Sequence, residues 1–93
     1  MIKSFKDADT ELLWETGKSR RIPANIRRAA LKKLVLLHWA TSLSDLAVPG
    51  GNHLEALSAN RKGQQSIRIN DQYRLCFVRR EPNAFAVEIV DYH

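Results

Sequence analysis

Only one cysteine, Cys76, occurs in the 93 residues. An intrachain disulfide is therefore excluded, and one thiol cannot build a cysteine-based zinc site. Set inside the apolar run "YRLCFV", Cys76 reads as a small buried hydrophobe rather than a reactive group. There are four glycines, and none forms a phosphate-cradling loop. A helix-borne His–Glu metal pair and a Gly-x-Ser-x-Gly elbow are missing too. The three histidines, His38, His53 and His93, stand far apart, so neither a metal nor a cofactor is expected. No apolar run approaches the length of a membrane span, and "MIKSFKDADT" has no signal-peptide core. The expectation is a soluble cytoplasmic protein with no membrane partner.

What is plentiful is positive charge. Fifteen Lys and Arg against ten Asp and Glu give a formal charge of +5. Such an excess suits a polyanionic partner such as nucleic acid, although alone it speaks only to solubility and association. With 44% apolar residues, the chain fits one domain, residues 1–93, around one modest core.

Periodicity divides the chain in two. "MIKSF" reads as a short first strand. "DADTELLWETG" reads as a helix capped by Asp7 or Asp9, with Leu12, Leu13 and Trp14 for apolar contacts, ended by Gly17. Lys18, Arg20 and Arg21 form an exposed cluster, and Pro23 marks a second helix start. There Ile26, Ala30, Leu34, Leu37 and Thr41 keep helical spacing, while Arg27, Arg28, Lys32 and Lys33 fill much of the remainder. That pattern describes a core-packing helix with a solvated basic face, or a nucleic-acid or membrane-surface binder. Leu43 and Leu46 suggest a short turn, and "PGG" at Pro49 forces a loop.

From His53 onward the period is two. His53 to Leu57 is one extended piece, and "SANRKGQ" is a polar connection containing Gly63. "QSIRI" places Ile67 and Ile69 on one face, with Ser66 and Arg68 on the other. "NDQ" and "REPNA" are turns around the strand "YRLCFVR", and "FAVEIVDY" is the last strand. Helices followed by four strands imply an α+β domain, two N-terminal helices packed on one face of a small, mainly antiparallel sheet. The other face stays partly open and carries Arg68 and Arg74.

That open face suggests a chemistry. RNA can be cut without a metal, because its 2′-hydroxyl is a nucleophile beside the scissile phosphate. The reaction needs a base, fixed cations against the phosphorane's charge, and an acid for the leaving 5′-oxygen. Arg61, Lys62, Arg68 and Arg74 are candidates for the charge. Glu55, Asp91, Tyr92 and His93 are candidates for moving or orienting protons, and histidine suits that work best. Each also has a plainer role. The arginines can be solvent-facing strand residues, Glu55 a strand-face acid, and Asp91 an ion-pair partner. Tyr92 can cap the core, and His93 can be a frayed end.

The stretch "GNHLEALSANRKGQQSIRINDQYRLCFV" and the terminal "VEIVDYH" resemble the HigB-type toxins of bacterial toxin–antitoxin systems. These plasmid maintenance system killer proteins belong to the RelE/ParE superfamily, and "MIKSF" is similar to the way they begin. The resemblance covers essentially the whole chain. It is densest from Gly51 to Val78 and in the last six residues. It implies a RelE-like fold and a metal-independent, ribosome-dependent endoribonuclease that cuts messenger RNA in the ribosomal A site and inhibits translation. It also implies a HigA-like helix-turn-helix antitoxin as partner, with operator DNA contacted only through the toxin–antitoxin complex.

Residue by residue, Arg74 resembles the arginine of the family's aromatic-Arg-x-x-Phe strand, here "YRLCF", which implies charge stabilisation at the phosphate. Asp91, Tyr92 and His93 resemble its terminal Asp-Tyr-His, implying proton transfer and orientation of the nucleotide. Arg61 lies in the family's x-Arg-x-Gly turn, implying a phosphate contact, and Lys62 and Arg68 are implied RNA contacts by position and charge. Two departures stand out. Where some members carry Leu-His-Pro-Leu, this chain reads Leu54-Glu55-Ala56-Leu57, putting a carboxylate in place of an imidazole. Gln65 stands where relatives carry an aromatic, which weakens stacking on a base. Two other functions stay open: a ParE-like, non-enzymatic inhibitor of DNA gyrase, and a basic nucleic-acid-binding module without cleavage.

Overall fold

The structure is a computed structural model and describes residues 1–47 and 50–92. Helix α1 spans Ala8–Thr16. Of the two candidate caps, Asp7 takes the role: its carboxylate accepts from the Thr10 N–H at 3.1 Å. Asp9 instead accepts from the Ser19 hydroxyl at 3.4 Å. Gly17 ends the helix at φ 79°, donating its N–H to the Leu13 carbonyl. That left-handed turn is one a side chain would strain.

Helix α2, Ala24–Trp39, follows Pro23 and buries Ile26, Ala30, Leu34 and Leu37 on one stripe. The stripe stops one position short of the sequence expectation. Ala40 turns to extended backbone, so Thr41 lies beyond the helix and is exposed. Its N–H and hydroxyl both donate to the Asp45 carboxylate at 2.9 Å. These bonds introduce a third short helix, α3 at Leu43–Ala47, which buries Leu46. Pro49 of the expected "PGG" loop lies outside the described residues, and Gly50–Asn52 forms a 3-10 turn.

Four strands follow, β1 Glu55–Ala56, β2 Gln65–Arg68, β3 Tyr73–Arg80 and β4 Asn83–Asp91, in sheet order β1-β2-β3-β4 and all antiparallel. The extended piece expected over His53 to Leu57 shrinks to two residues, because His53 adopts φ 45° and breaks the run. "SANRKGQ" holds a 3-10 turn, Ala59–Arg61, rather than a plain loop. "MIKSF" is not a full strand. It runs parallel to β4 through two isolated bridges, Ile2 with Ala84 and Phe5 with Val87. The break has a local cause: Ala86, at φ 52°, interrupts the β4 ladder between these points and donates its N–H to the Ser4 hydroxyl.

The β-pleat sorts the rest. Ile67, Leu75, Phe77, Ala84 and Val87 face the helices and join Leu13, Ile26, Leu34 and Leu37 in one buried cluster. Burial of this apolar area is the main force holding helices to sheet. Arg74 and Cys76 alternate with Leu75 and Phe77, so they look away from that core. Among the described residues, no helix is long and apolar enough to cross a membrane.

His38 pins the N-terminal segment to α2. Its Nδ1 accepts the Ile2 N–H at 3.2 Å, between Trp14 at 5.2 Å and Trp39 at 5.1 Å. Burial, and then the charge of the N-terminal amine, hold the His38 pKa below its ordinary value. A depressed imidazole pKa favours the neutral folded form, so the unfolded chain takes up the proton first as pH falls. The His38 contribution is whole above about pH 6.5, the unfolded value, and is lost as pH drops below it. Thermal melts of the wild type should fall in this acidic window, and His38→Gln should flatten the dependence. Superimposable profiles for the two proteins would refute the assignment.

Candidate active site

The open face is built in rows. Glu55 pairs in register with Ser66, Ser66 with Cys76, and Cys76 with Glu88, so these four share one face across all four strands. The neighbouring row is Arg68, Arg74 and Val90. Tyr92, two residues beyond Val90, keeps the same parity. Its ring lies under Arg74, whose guanidinium carbon is 5.9 Å from the ring centroid.

Arg74 is held before any substrate arrives. Its Nε donates to the Ser66 hydroxyl at 2.8 Å, and Nη2 donates to the His53 carbonyl at 2.5 Å and the Ser66 carbonyl at 3.4 Å. The alternation of "QSIRI" sets Ser66 on the face opposite Ile67 and Ile69, the face that carries Arg68 and Arg74. Ser66 is fully buried there, and its hydroxyl is spent on aiming Arg74. A guanidinium pinned through Nε and Nη2 keeps its Nη1 side for the oxygens of an anion such as phosphate. The Cys76 thiol, also fully buried beneath this face, is pushed up in pKa by that burial, against the pull of Arg61. It is inert as a nucleophile.

Tyr92 is fixed past the end of β4 by its N–H, which donates to the Gln72 carbonyl at 2.7 Å. Burial raises its phenol pKa, with Cys76 adding to the effect, so the hydroxyl keeps its proton at neutral pH and acts as a donor. Together with Glu55 and Arg61, Tyr92 lines an open depression of about 440 Å³. Arg61 reaches it from the 3-10 turn. Its Nη1 donates to the Gln64 side-chain oxygen at 3.1 Å, and its Nη2 stands 3.6 Å from Glu88.

The sequence candidates therefore divide. Glu55, Arg61, Arg74 and Tyr92 come together on one face. Lys62 is exposed beside Arg61 at the rim. Arg68 neighbours Arg74 but is tied to Asp71 by an ion pair. Asp91 departs from the expected cluster: its register partner is Tyr73, so it shares the face of Leu75 and Ile89 rather than that of Arg74. Its carboxylate accepts from the Gln72 amide at 3.0 Å, and it lines a separate depression with Asp7, Asp9 and Arg21. The reason is the pleat itself, which turns consecutive strand residues to opposite sides. His93 lies outside the described residues.

Two residues that sequence reasoning passed over, Lys6 and Glu88, also belong here. Glu88 is the acid inside the apolar "FAVEIV", and its parity with Tyr92 was the available signal. Charge is distributed unevenly across the layers. On the sheet face Lys6 and Arg61 meet Glu88, and Arg68 meets Asp71. In the helical layer Lys18, Arg20, Arg21, Arg27, Arg28 and Lys32 fall in a stretch, 16–44, that has no Asp or Glu.

Comparison with known proteins shows the family. The profile of the family described as "RelE-like toxin of type II toxin-antitoxin system HigB" matches residues 3–93. A curated relative, Toxin HigB-1 of Vibrio cholerae serotype O1, is 46% identical over 78 residues, 83% of this chain and 82% of its own. Endoribonuclease HigB of Proteus vulgaris is 30% identical over 93 residues, spanning 100% of both chains. Among solved structures, YafQ from E. coli strain BL21(DE3) superposes with a TM-score of 0.57 at 14% identity, covering 99% of this chain and 92% of that one. That likeness shows a shared fold.

Proposed function

The chain belongs to the HigB-like family, the RelE-like toxins of type II toxin–antitoxin systems, and from that premise we propose that it cuts messenger RNA on the translating ribosome with the open face of its sheet. Membership of a type II system makes an antitoxin its partner. The observation that carries the chemical reading is Arg74, pinned by Ser66 and His53 and seated over Tyr92 in reach of a depression lined by Glu55 and Arg61.

In this reading the scissile phosphate sits against the free edge of Arg74, with Arg61 on a neighbouring phosphate of the message. The 2′-hydroxyl oxygen attacks phosphorus while its proton passes to a base. The bond from phosphorus to the 5′-oxygen breaks, and that oxygen takes a proton from an acid. Glu55 lines the depression as a carboxylate base, and His93 supplies the acid through its imidazole. Tyr92 donates a hydrogen bond to the nucleotide. Asp91, on the other face, steadies the strand end through Gln72. Lys62 and Arg68 contact flanking phosphates. The ribosome holds the message in its A site, which removes from this small face the burden of binding RNA alone. The antitoxin is of the helix-turn-helix, HigA-like kind, and DNA is met through its complex with the toxin.

The test is to map RNA 5′ ends after brief expression, beside Arg74→Ala and His93→Ala controls. New ends inside translated codons, absent in both controls, are the expected result. Damaged DNA with intact messages would instead indicate a gyrase inhibitor. Steeply salt-dependent binding without new ends would indicate a nucleic-acid module.

A further inference from the structure

We propose that Glu88 is a positioning residue of the RNA-cleaving face, one that holds Arg61 in the orientation that meets the substrate's phosphate. This inference rests on the cleavage reading above. An acid in the middle of a surface meant for RNA needs a reason, because its charge repels the substrate. Glu88 sits on β4 in the row that runs Glu55, Ser66, Cys76, Glu88 across the sheet. Its side chain is only 15% exposed, against 28% for Arg61 and 56% for Lys6.

One carboxylate oxygen is 3.6 Å from Arg61 Nη2, and the other is 3.5 Å from Lys6 Nζ. The second oxygen is buried and has no hydrogen bond among the described residues. An acid in this position is not there for the stability of a surface pair, which is worth little. Its geometric effect is clear. Arg61 arises from a 3-10 turn far from β4 in sequence, and two opposed contacts, Gln64 on Nη1 and Glu88 on Nη2, fix the plane of its guanidinium. A free arginine side chain loses rotamer freedom when it binds, and ordering it beforehand spares the substrate that loss. Lys6 supplies a second cation to the same carboxylate and so leaves the trio with a net positive charge toward the phosphate.

The arrangement predicts a particular kinetic signature. Arg61 meets the phosphate in both ground state and transition state, so loosening it weakens binding more than turnover. Glu88→Gln keeps the shape and removes the charge. With programmed ribosomes as substrate, KM is expected to rise about tenfold while kcat stays within about twofold. Arg61→Ala should raise KM at least as much, and adding Glu88→Gln to it should change KM by less than about twofold, the non-additivity of a shared function.

A merely structural acid would lower the active fraction, and hence kcat, with KM unmoved. That result, or a full additive effect in the double variant, overturns the proposal. Tighter binding by Glu88→Gln overturns it as well, since Glu88 would then be a brake. Should Glu88→Gln fail to fold, Gln64→Met removes the other tie. It should raise KM in the wild-type background and not in Arg61→Ala, and an unchanged KM would count against the scheme. A wild-type protein that leaves ribosome-bound message intact defeats the cleavage reading itself, a result distinct from any of these.

Discussion

Replacing Arg74 with alanine should lower the rate of message cleavage by about a hundredfold to a thousandfold, the usual cost of removing one preorganised charge-stabilising donor. The reasoning starts from geometry. Arg74 is fixed on Nε and Nη2 by Ser66 and His53, and its plane rests near the Tyr92 ring. No reorganisation is needed when charge develops on the phosphorane, which is the condition under which electrostatic stabilisation is strongest. Arg74→Lys should recover a minor part of the loss, because an ammonium keeps the charge but cannot span the Ser66 hydroxyl and a phosphate together. Ser66→Ala should cost about tenfold, as the guanidinium is freed to swing while its charge is intact. Single-turnover cleavage on programmed ribosomes checks all three. An Arg74→Ala rate within threefold of wild type would remove this arginine from the mechanism.

The largest effect on stability is expected at Phe77. Its ring is fully buried on β3, among the residues that bind sheet to helices. Phe77→Ala should destabilise by about 3–5 kcal/mol, from lost transfer energy plus the cavity left behind. For a domain whose whole stability is roughly 5–15 kcal/mol, that is a large share. The midpoint of thermal unfolding should fall by about 15 °C or more, and the denaturant midpoint should fall with an unchanged m-value. A loss under about 1 kcal/mol would mean that the ring is not packed as described. Cys76, one position earlier and equally buried, faces the other way, so Cys76→Ala should cost much less.

Much of the architecture could be read in advance because it is local. The α1 helix carries its own Asp7 cap and Gly17 stop, and α2 carries Pro23 and a four-residue apolar stripe. The β2 strand alternates polar and apolar residue types, and Asn70 closes its turn into β3 by accepting the Gln72 and Tyr73 N–H groups. Where expectation and structure part, the cause lies outside the residues that carry the pattern. "MIKSF" has strand-like residues, yet how far it pairs depends on the Ala86 irregularity on β4, which no local pattern shows. Thr41 fits the helical period, but its bonds to Asp45 belong to the next helix.

The sequence by itself determined the order of the main helices and strands, the apolar faces of the helices and the placing of Asp91 at the end of the last strand with Tyr92 just after it. Those are matters of side-chain type and spacing along one chain. Only the tertiary structure decided which of these groups share a surface. Strand register brought Arg74, Tyr92, Glu55, Arg61 and Glu88 to one face and turned Asp91 to the other. The physical reason is that a pleated strand alternates its side chains, while pairing between strands distant in sequence selects the neighbours each one meets.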